Sequence, residues 1–160
     1  MVPRVLYCDM DTFAGLQGNE MDDETARAFL RDQGFGVLSL ASGGDAYGIP
    51  ISYGYDEATE RLYFVFLRPG ETSKKERFGE ATETASFLVL DVPSREAWRT
   101  AVATGTLRIV DDDEWPAVRA ALDDNAWFPT LFSETEPMRD IVGWALEVDD
   151  VTGMHSRATR

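Results

Sequence analysis

Histidine and cysteine each occur once in these 160 residues, and lysine twice. A nucleophilic triad needs a histidine held against a serine or cysteine. The single His155 stands near the end of the chain, in a polar stretch expected to be mobile, so hydrolysis of that kind is not expected. One cysteine, Cys8, precludes an internal disulfide, and one Cys with one His is too few for a Cys/His zinc cluster. Long apolar runs are missing as well, and the apolar part of the first nine residues is too short for a signal peptide. A soluble, cytoplasmic protein without a membrane partner is the expectation. Positive charge is scarce: 15 Lys and Arg face 29 Asp and Glu, for a formal net charge of -14. That balance argues against nucleic acid and anionic membranes as partners. Gly-rich phosphate-binding loops and dinucleotide fingerprints after a strand are absent too.

What is present is a globular composition, 44% hydrophobic, and a length suited to one domain with its own core. Acidic excess, scarce lysine and arginine as the preferred base resemble proteins adapted to a high-salt cytoplasm, such as those of haloarchaea. At about 1 M salt the Debye length falls to about 3 Å and self-repulsion is screened, so the charge would report habitat rather than partner.

Taken in order, residues 1–20 form an irregular lead-in. Asp22 and Asp23 begin a helix, with Glu24 in its first turn, Ala26, Phe29 and Leu30 at helical spacing, and a stop at Gly34. Six strands are expected at 35–41, 47–56, 61–67, 85–92, 99–110 and 142–148, the first three as an antiparallel meander, with a bend or bulge at Gly105. Asp111 to Glu114 invite a metal, since hard cations take carboxylates. They directly precede an amphipathic segment from Trp115 with Pro116 in its first turn, so opposing the helix dipole is the preferred reading and no metal is expected. The aromatic segment 127–132 fits core, pocket or interface, and a polar tail follows from residue 150. Many short strands with a few helices give a mainly β fold, a six-stranded antiparallel barrel with flanking helices.

The most informative stretch is 47–78. Tyr47, Ile49, Ile51, Tyr53 and Tyr55 fall on one face of its first strand, while Gly48, Pro50, Ser52 and Gly54 fall on the other. A face that bare permits either a barrel bend or the close approach of another backbone or a flat ligand. Next comes a loop holding Arg68, Lys74, Lys75 and Arg77, four of the 15 basic residues within ten positions. Thr72 or Ser73, the amides of a helix start and Lys74 would together suit a phosphate monoester. Equally, Lys74, Lys75 and Arg77 could pair with Glu71, Glu76 and Glu80 along a helix face.

Gly36 to Ala41, Ala46 to Tyr53, Leu62 to Phe64, and Ser73-Lys74 with Phe78 occur in an order and spacing that resembles the pyridoxamine 5'-phosphate oxidase-like, FMN-binding split-barrel family. Its nitroimidazole-resistance-type and small uncharacterised members are the nearest in pattern. The resemblance spans about residues 22–112 and implies a six-stranded split barrel binding FMN. Pro50, Ile51 and Ser52 would contact the isoalloxazine, and Lys74 would grip the phosphate with help from Thr72 or Ser73. It also implies a homodimer with the cofactor at the subunit interface, the second subunit contributing through Trp98, the 127–132 segment or the tail. Thr72-Ser73 stand where many relatives carry Gly-Arg, and the basic and histidine residues that bind the vitamin substrate in true pyridoxamine phosphate oxidases have no counterpart.

The expected function is that of an FMN-dependent oxidoreductase acting on a small-molecule substrate, the flavin carrying the electrons. Two alternatives stand beside it. One is a non-catalytic flavin, deazaflavin or haem-binding protein for storage or sensing, and the other a ligand-free interaction module.

Overall fold

The computed structural model describes residues 18–67, 73–125 and 141–157. Its elements are β1 (Asn19–Glu20), α1 (Asp23–Asp32), β2 (Phe35–Ser42), β3 (Asp45–Ser52), β4 (Gly54–Asp56), β5 (Arg61–Leu67), α2 (Lys74–Ala81), β6 (Ala85–Asp91), β7 (Arg99–Ile109), α3 (Trp115–Asn125) and β8 (Ile141–His155). A single 3-10 turn, Asp112–Glu114, leads into α3.

Helix α1 starts where its sequence dictates. Asp22 is the N-cap, its carboxylate accepting from the Thr25 amide at 2.7 Å, and hydrogen bonding from the Thr25 side chain first and its amide second holds that carboxyl below its ordinary range. Ala26, Phe29 and Leu30 form the buried stripe.

All strand pairs are antiparallel, in the order β3-β2-β6-β7-β8-β5-β4, with β1 added to β8. The first expected hairpin is present as β2-β3, whose Gly43 and Gly44 both take positive φ at the tip, where a side chain would be strained. The expected meander is not. The stretch 47–56 is two strands that separate at Tyr53, so that β3 and β4 lie at opposite ends of the sheet order. Since one residue joins those ends, the sheet has to curl, and the result is a split barrel. Among the described residues its strands number eight rather than six, because of this break and the short β1.

The concave side is the core. Leu38, Ile49, Phe64, Phe87, Val89, Trp144 and Leu146 pack there together with Phe29 and Leu30 of α1. A second, smaller cluster lies on the convex side, where Val118, Ala121 and Leu122 of α3 cover Tyr63 and Ala145. Gly54 is buried at that contact, a Cβ there meeting the Ala121-Leu122 backbone.

Gly105 is at a bulge, as expected. Thr104 pairs with Asp150 but Gly105 with Val148, leaving Asp149 as the additional residue on β8. A side chain at Gly105 would collide with the Glu147 carbonyl. Beyond the bulge β8 continues, so the last strand runs to His155 and not to residue 148. Val151 is buried there, Gly153 packs on Met21 and Ala26, and His155 pairs with both Asn19 and Arg99. The expected polar tail from residue 150 and the mobile His155 are thereby corrected. Glu20 and Asn19, expected in an irregular lead-in, are strand-paired; residues 1–17 and the 127–132 segment lie outside the described residues.

Glu114 has a definite task. It accepts from Arg108 through two bonds of 2.6 and 2.7 Å and lies 3.4 Å from Arg61. The Arg108 hydrogen bond leads in holding its carboxyl down, to about 2. Among the described residues no cluster of three or more His, Cys, Asp or Glu could hold a metal ion, and no helix is long and apolar enough to cross a membrane.

Candidate functional site

The sheet alternation sends Ile49 and Ile51 into the core and leaves Gly48, Pro50 and Ser52 on the convex face. Register extends that face laterally. Pro50 lies opposite Val37, Val37 opposite Leu88, and Leu88 opposite Val102, while Ser52 lies opposite Phe35. No described helix covers this part of the sheet, in contrast to the β4-β5-β8 region beneath α3. Phe35 is 41% exposed, Leu90 46% and Val92 56%. So many large apolar side chains in one exposed region mark a surface that binds something.

Helix α2 stands at the hairpin end of β3. Its Ser73 is the N-cap of a complete capping box: the Ser73 hydroxyl accepts from the Glu76 amide at 3.2 Å, and the Glu76 carboxylate accepts from the Ser73 amide at 3.2 Å and hydroxyl at 3.3 Å. Glu76 is itself buried. Of the two readings left open for this helix, the one that pairs Glu76 with its lysines is not seen among the described residues; its carboxylate turns back onto the cap. The amides of Lys74 and Lys75, first-turn positions, have no intrahelical acceptor.

Lys74 is exposed, and its Nζ stands 4.4 Å from the centroid of the Tyr47 ring and 5.5 Å from that of Phe78. These two rings contact each other at 5.2 Å, so the ammonium rests on a preformed aromatic ledge. Among the described residues no carboxylate lies within ion-pair distance of Lys74 or Arg77. Both cations line a cleft of about 660 Å³ with Ser42, Asp45, Ala46 and Phe78. Lys75 points elsewhere, toward the Phe66 ring at 6.0 Å.

Of the six residues expected to bind a cofactor, the structure brings Ser73 and Lys74 together at the head of α2 and Pro50 and Ser52 on the bare face of β3. Ile51 offers that face only its backbone, its side chain packing inward. Thr72 lies outside the described residues. Arg77, which the sequence pattern assigned either to anion binding or to a helix-face ion pair, joins Lys74 in the cleft. At roughly 3.3 Å per residue, the strand carries the bare face about 20 Å from Ala46 beside the cleft to Ser52. An elongated ligand with an anion at one end and a flat apolar ring at the other matches this layout. The convex face offers no titratable side chain at Gly48, Pro50, Ser52, Val37 or Leu88, so a redox reaction here would have to be carried by a bound group. Trp98 lies away from the cleft, at the far end of the sheet where Asp91, Arg99 and His155 pair across β6, β7 and β8.

The family model for pyridoxamine 5'-phosphate oxidase matches residues 22–155. A 5a,11a-dehydrotetracycline/5a,11a-dehydrooxytetracycline reductase from Streptomyces rimosus is 29% identical over 132 residues, covering 81% of this chain and 87% of its own. A FAD-binding protein from Mesorhizobium loti superposes with a TM-score of 0.71 at 18% identity, over 88% of this chain and 99% of that one. A FAD and haem binding protein from Mycobacterium smegmatis gives 0.66 at 18% identity, over 88% and 74%. At such identities the two structures speak for the fold alone, and they agree with the curled antiparallel sheet described above.

Proposed function

The chain belongs to the pyridoxamine 5'-phosphate oxidase family, and on that premise we propose that it is an FMN-dependent oxidoreductase with a small-molecule substrate. The observation that carries the reading is a cation cleft lined by Ala46, the residue with which Gly48, Pro50 and Ser52 share the bare face of β3. Lys74 and Arg77 would hold the phosphate together with Ser73 or Thr72 and the first-turn amides of α2. The isoalloxazine would lie on Pro50, Ser52 and the backbone at Ile51, where Gly48 adds no bulk. When bound, the flavin supplies hydride or electron transfer, and the protein's part is to orient the ring and exclude water from one side of it.

The exposed apolar convex face suits a second copy of the chain, which would bury Phe35, Leu90 and Val92 and close over the ring. A homodimer with the cofactor between subunits follows from this reading.

A second reading is favoured by the lack, among the described residues, of an acid or base on the ring face: a flavin, deazaflavin or haem-binding protein that stores or senses its ligand. The two part on one experiment. Purified protein is incubated with FMN, passed through gel filtration, scanned for visible absorption and mixed with NADH or NADPH. A flavin spectrum that stays with the protein and bleaches on adding a nicotinamide nucleotide supports the oxidoreductase. Retained flavin without reduction supports the binding protein, and a colourless eluate refutes FMN as the cofactor.

A further inference from the structure

At the end of the barrel opposite the α2 cleft, a second cavity of about 610 Å³ opens between the start of α1 and the ends of β6, β7 and β8. We propose that it is a binding site for a small organic cation with an aromatic or apolar body, separate from the flavin face.

Trp98 is one of its walls, and the structure fixes that wall in place. The Trp98 amide donates to Ser156 Oγ at 3.1 Å, and the Ser156 amide donates back to the Trp98 carbonyl at 2.9 Å. Gly18 packs so closely on the indole that a Cβ there would stand 2.5 Å from its Cη2. The adjoining loop is held as well, Ser94 Oγ accepting from the amides of Glu96 and Ala97 at 3.3 and 3.2 Å. Such preorganisation lowers the ordering cost of binding. Met21, Pro93 and Ala97 add apolar surface, and His155 a second aromatic edge.

Charge selects the class of ligand. Arg99 lines the cavity, but its guanidinium is paired with Asp91 at 2.9 Å and lies over the Phe29 ring at 4.7 Å. That pair is neutral as a unit. Glu96 is left with a carboxylate that has no ion-pair partner among the described residues. A tryptophan and a carboxylate lining the same cavity attract a cation through both the ring quadrupole and the charge.

The test uses benzyltrimethylammonium as probe, titrated calorimetrically into the full chain, with benzenesulfonate and benzyl alcohol as charge controls. We expect saturable binding of the ammonium only. Trp98→Ala should weaken it about tenfold or more and Glu96→Gln about threefold, while Trp98→Phe, which keeps an aromatic face, should retain most of it. Excess FMN should leave the affinity unchanged. If Trp98→Ala fails to fold, as judged by its thermal transition, Trp98→Phe and Glu96→Gln still decide the matter. No binding, equal or tighter binding of the sulfonate, indifference to Glu96→Gln and Trp98→Ala, or displacement by FMN would each overturn the proposal.

Discussion

The Tyr53 hydroxyl donates to the backbone carbonyl of Leu30. This bond ties the single residue that separates β3 from β4 to the last turn of α1, and the Tyr53 amide adds a bond to Gly34 O at 3.3 Å. Its ring meets Phe87 edge-on, with centroids 4.7 Å apart. One side chain thereby anchors the point at which the chain leaves one end of the sheet for the other.

Tyr53→Phe should keep the packing and lose the bond, lowering stability by about 1 to 2 kcal/mol in urea unfolding. Burial pushes the Tyr53 phenol well above its ordinary value of 10. The native state therefore favours the neutral hydroxyl, and the stability this contributes is complete below about pH 10 and declines as pH rises further. The variant should show a shallower alkaline loss of stability than the parent.

Gly54→Ala tests the neighbouring contact with α3. Added bulk against the Ala121-Leu122 backbone must shift the helix, and about 1 to 3 kcal/mol of destabilisation is expected, read from the thermal midpoint. An unchanged midpoint would mean that α3 is not seated as described.

Glu114→Gln addresses the acidic run before α3. With its folded value held near 2 by Arg108, Glu114 contributes stability above its ordinary value of 4.5, and loses it as pH falls toward 2. Replacement should cost about 2 kcal/mol at neutral pH, and the gap between variant and parent should narrow between about pH 4.5 and 2. A gap that stays constant with pH would assign Glu114 a packing role only.

Lys74→Ala should weaken FMN at least about tenfold while changing riboflavin affinity less than about twofold, because only FMN carries the phosphate. Lys75→Ala, whose ammonium faces Phe66, should do little to either. Equal losses for both ligands in Lys74→Ala would remove the cleft from the flavin site.

Local signals in the sequence were sufficient for elements closed by local bonds. Asp22 with acidic residues behind it located α1, and the alternation of small and bulky residues from Tyr47 located the bare face. Ser73 with Glu76 three residues on is a capping-box signature, yet the same serine also fits a phosphate site, and only the bond to Glu76 shows what it does in this structure. The break at Tyr53 left no trace, since bulky Tyr53 and Tyr55 continue the period of two across it; its cause is a change of partner strand, which is a long-range matter. At the end of β8 a bulge was responsible. Inward positions step from Val148 to Val151 over Asp149, so the alternation skips a beat and the acidic pair 149–150 reads as the start of a tail. Lys74 on its ledge of Tyr47 and Phe78 joins residues 27 and 4 positions apart, and of these only the second is a helical spacing.

Strand β8 pairs with β7 along one edge and with β5 along the other. Because β8 follows every other described strand in chain order, β5 and β7 each wait with an open backbone edge until residues 141–155 have been made. The barrel closes only then, and a chain cut short before residue 141 would present two aggregation-prone edges rather than a smaller barrel.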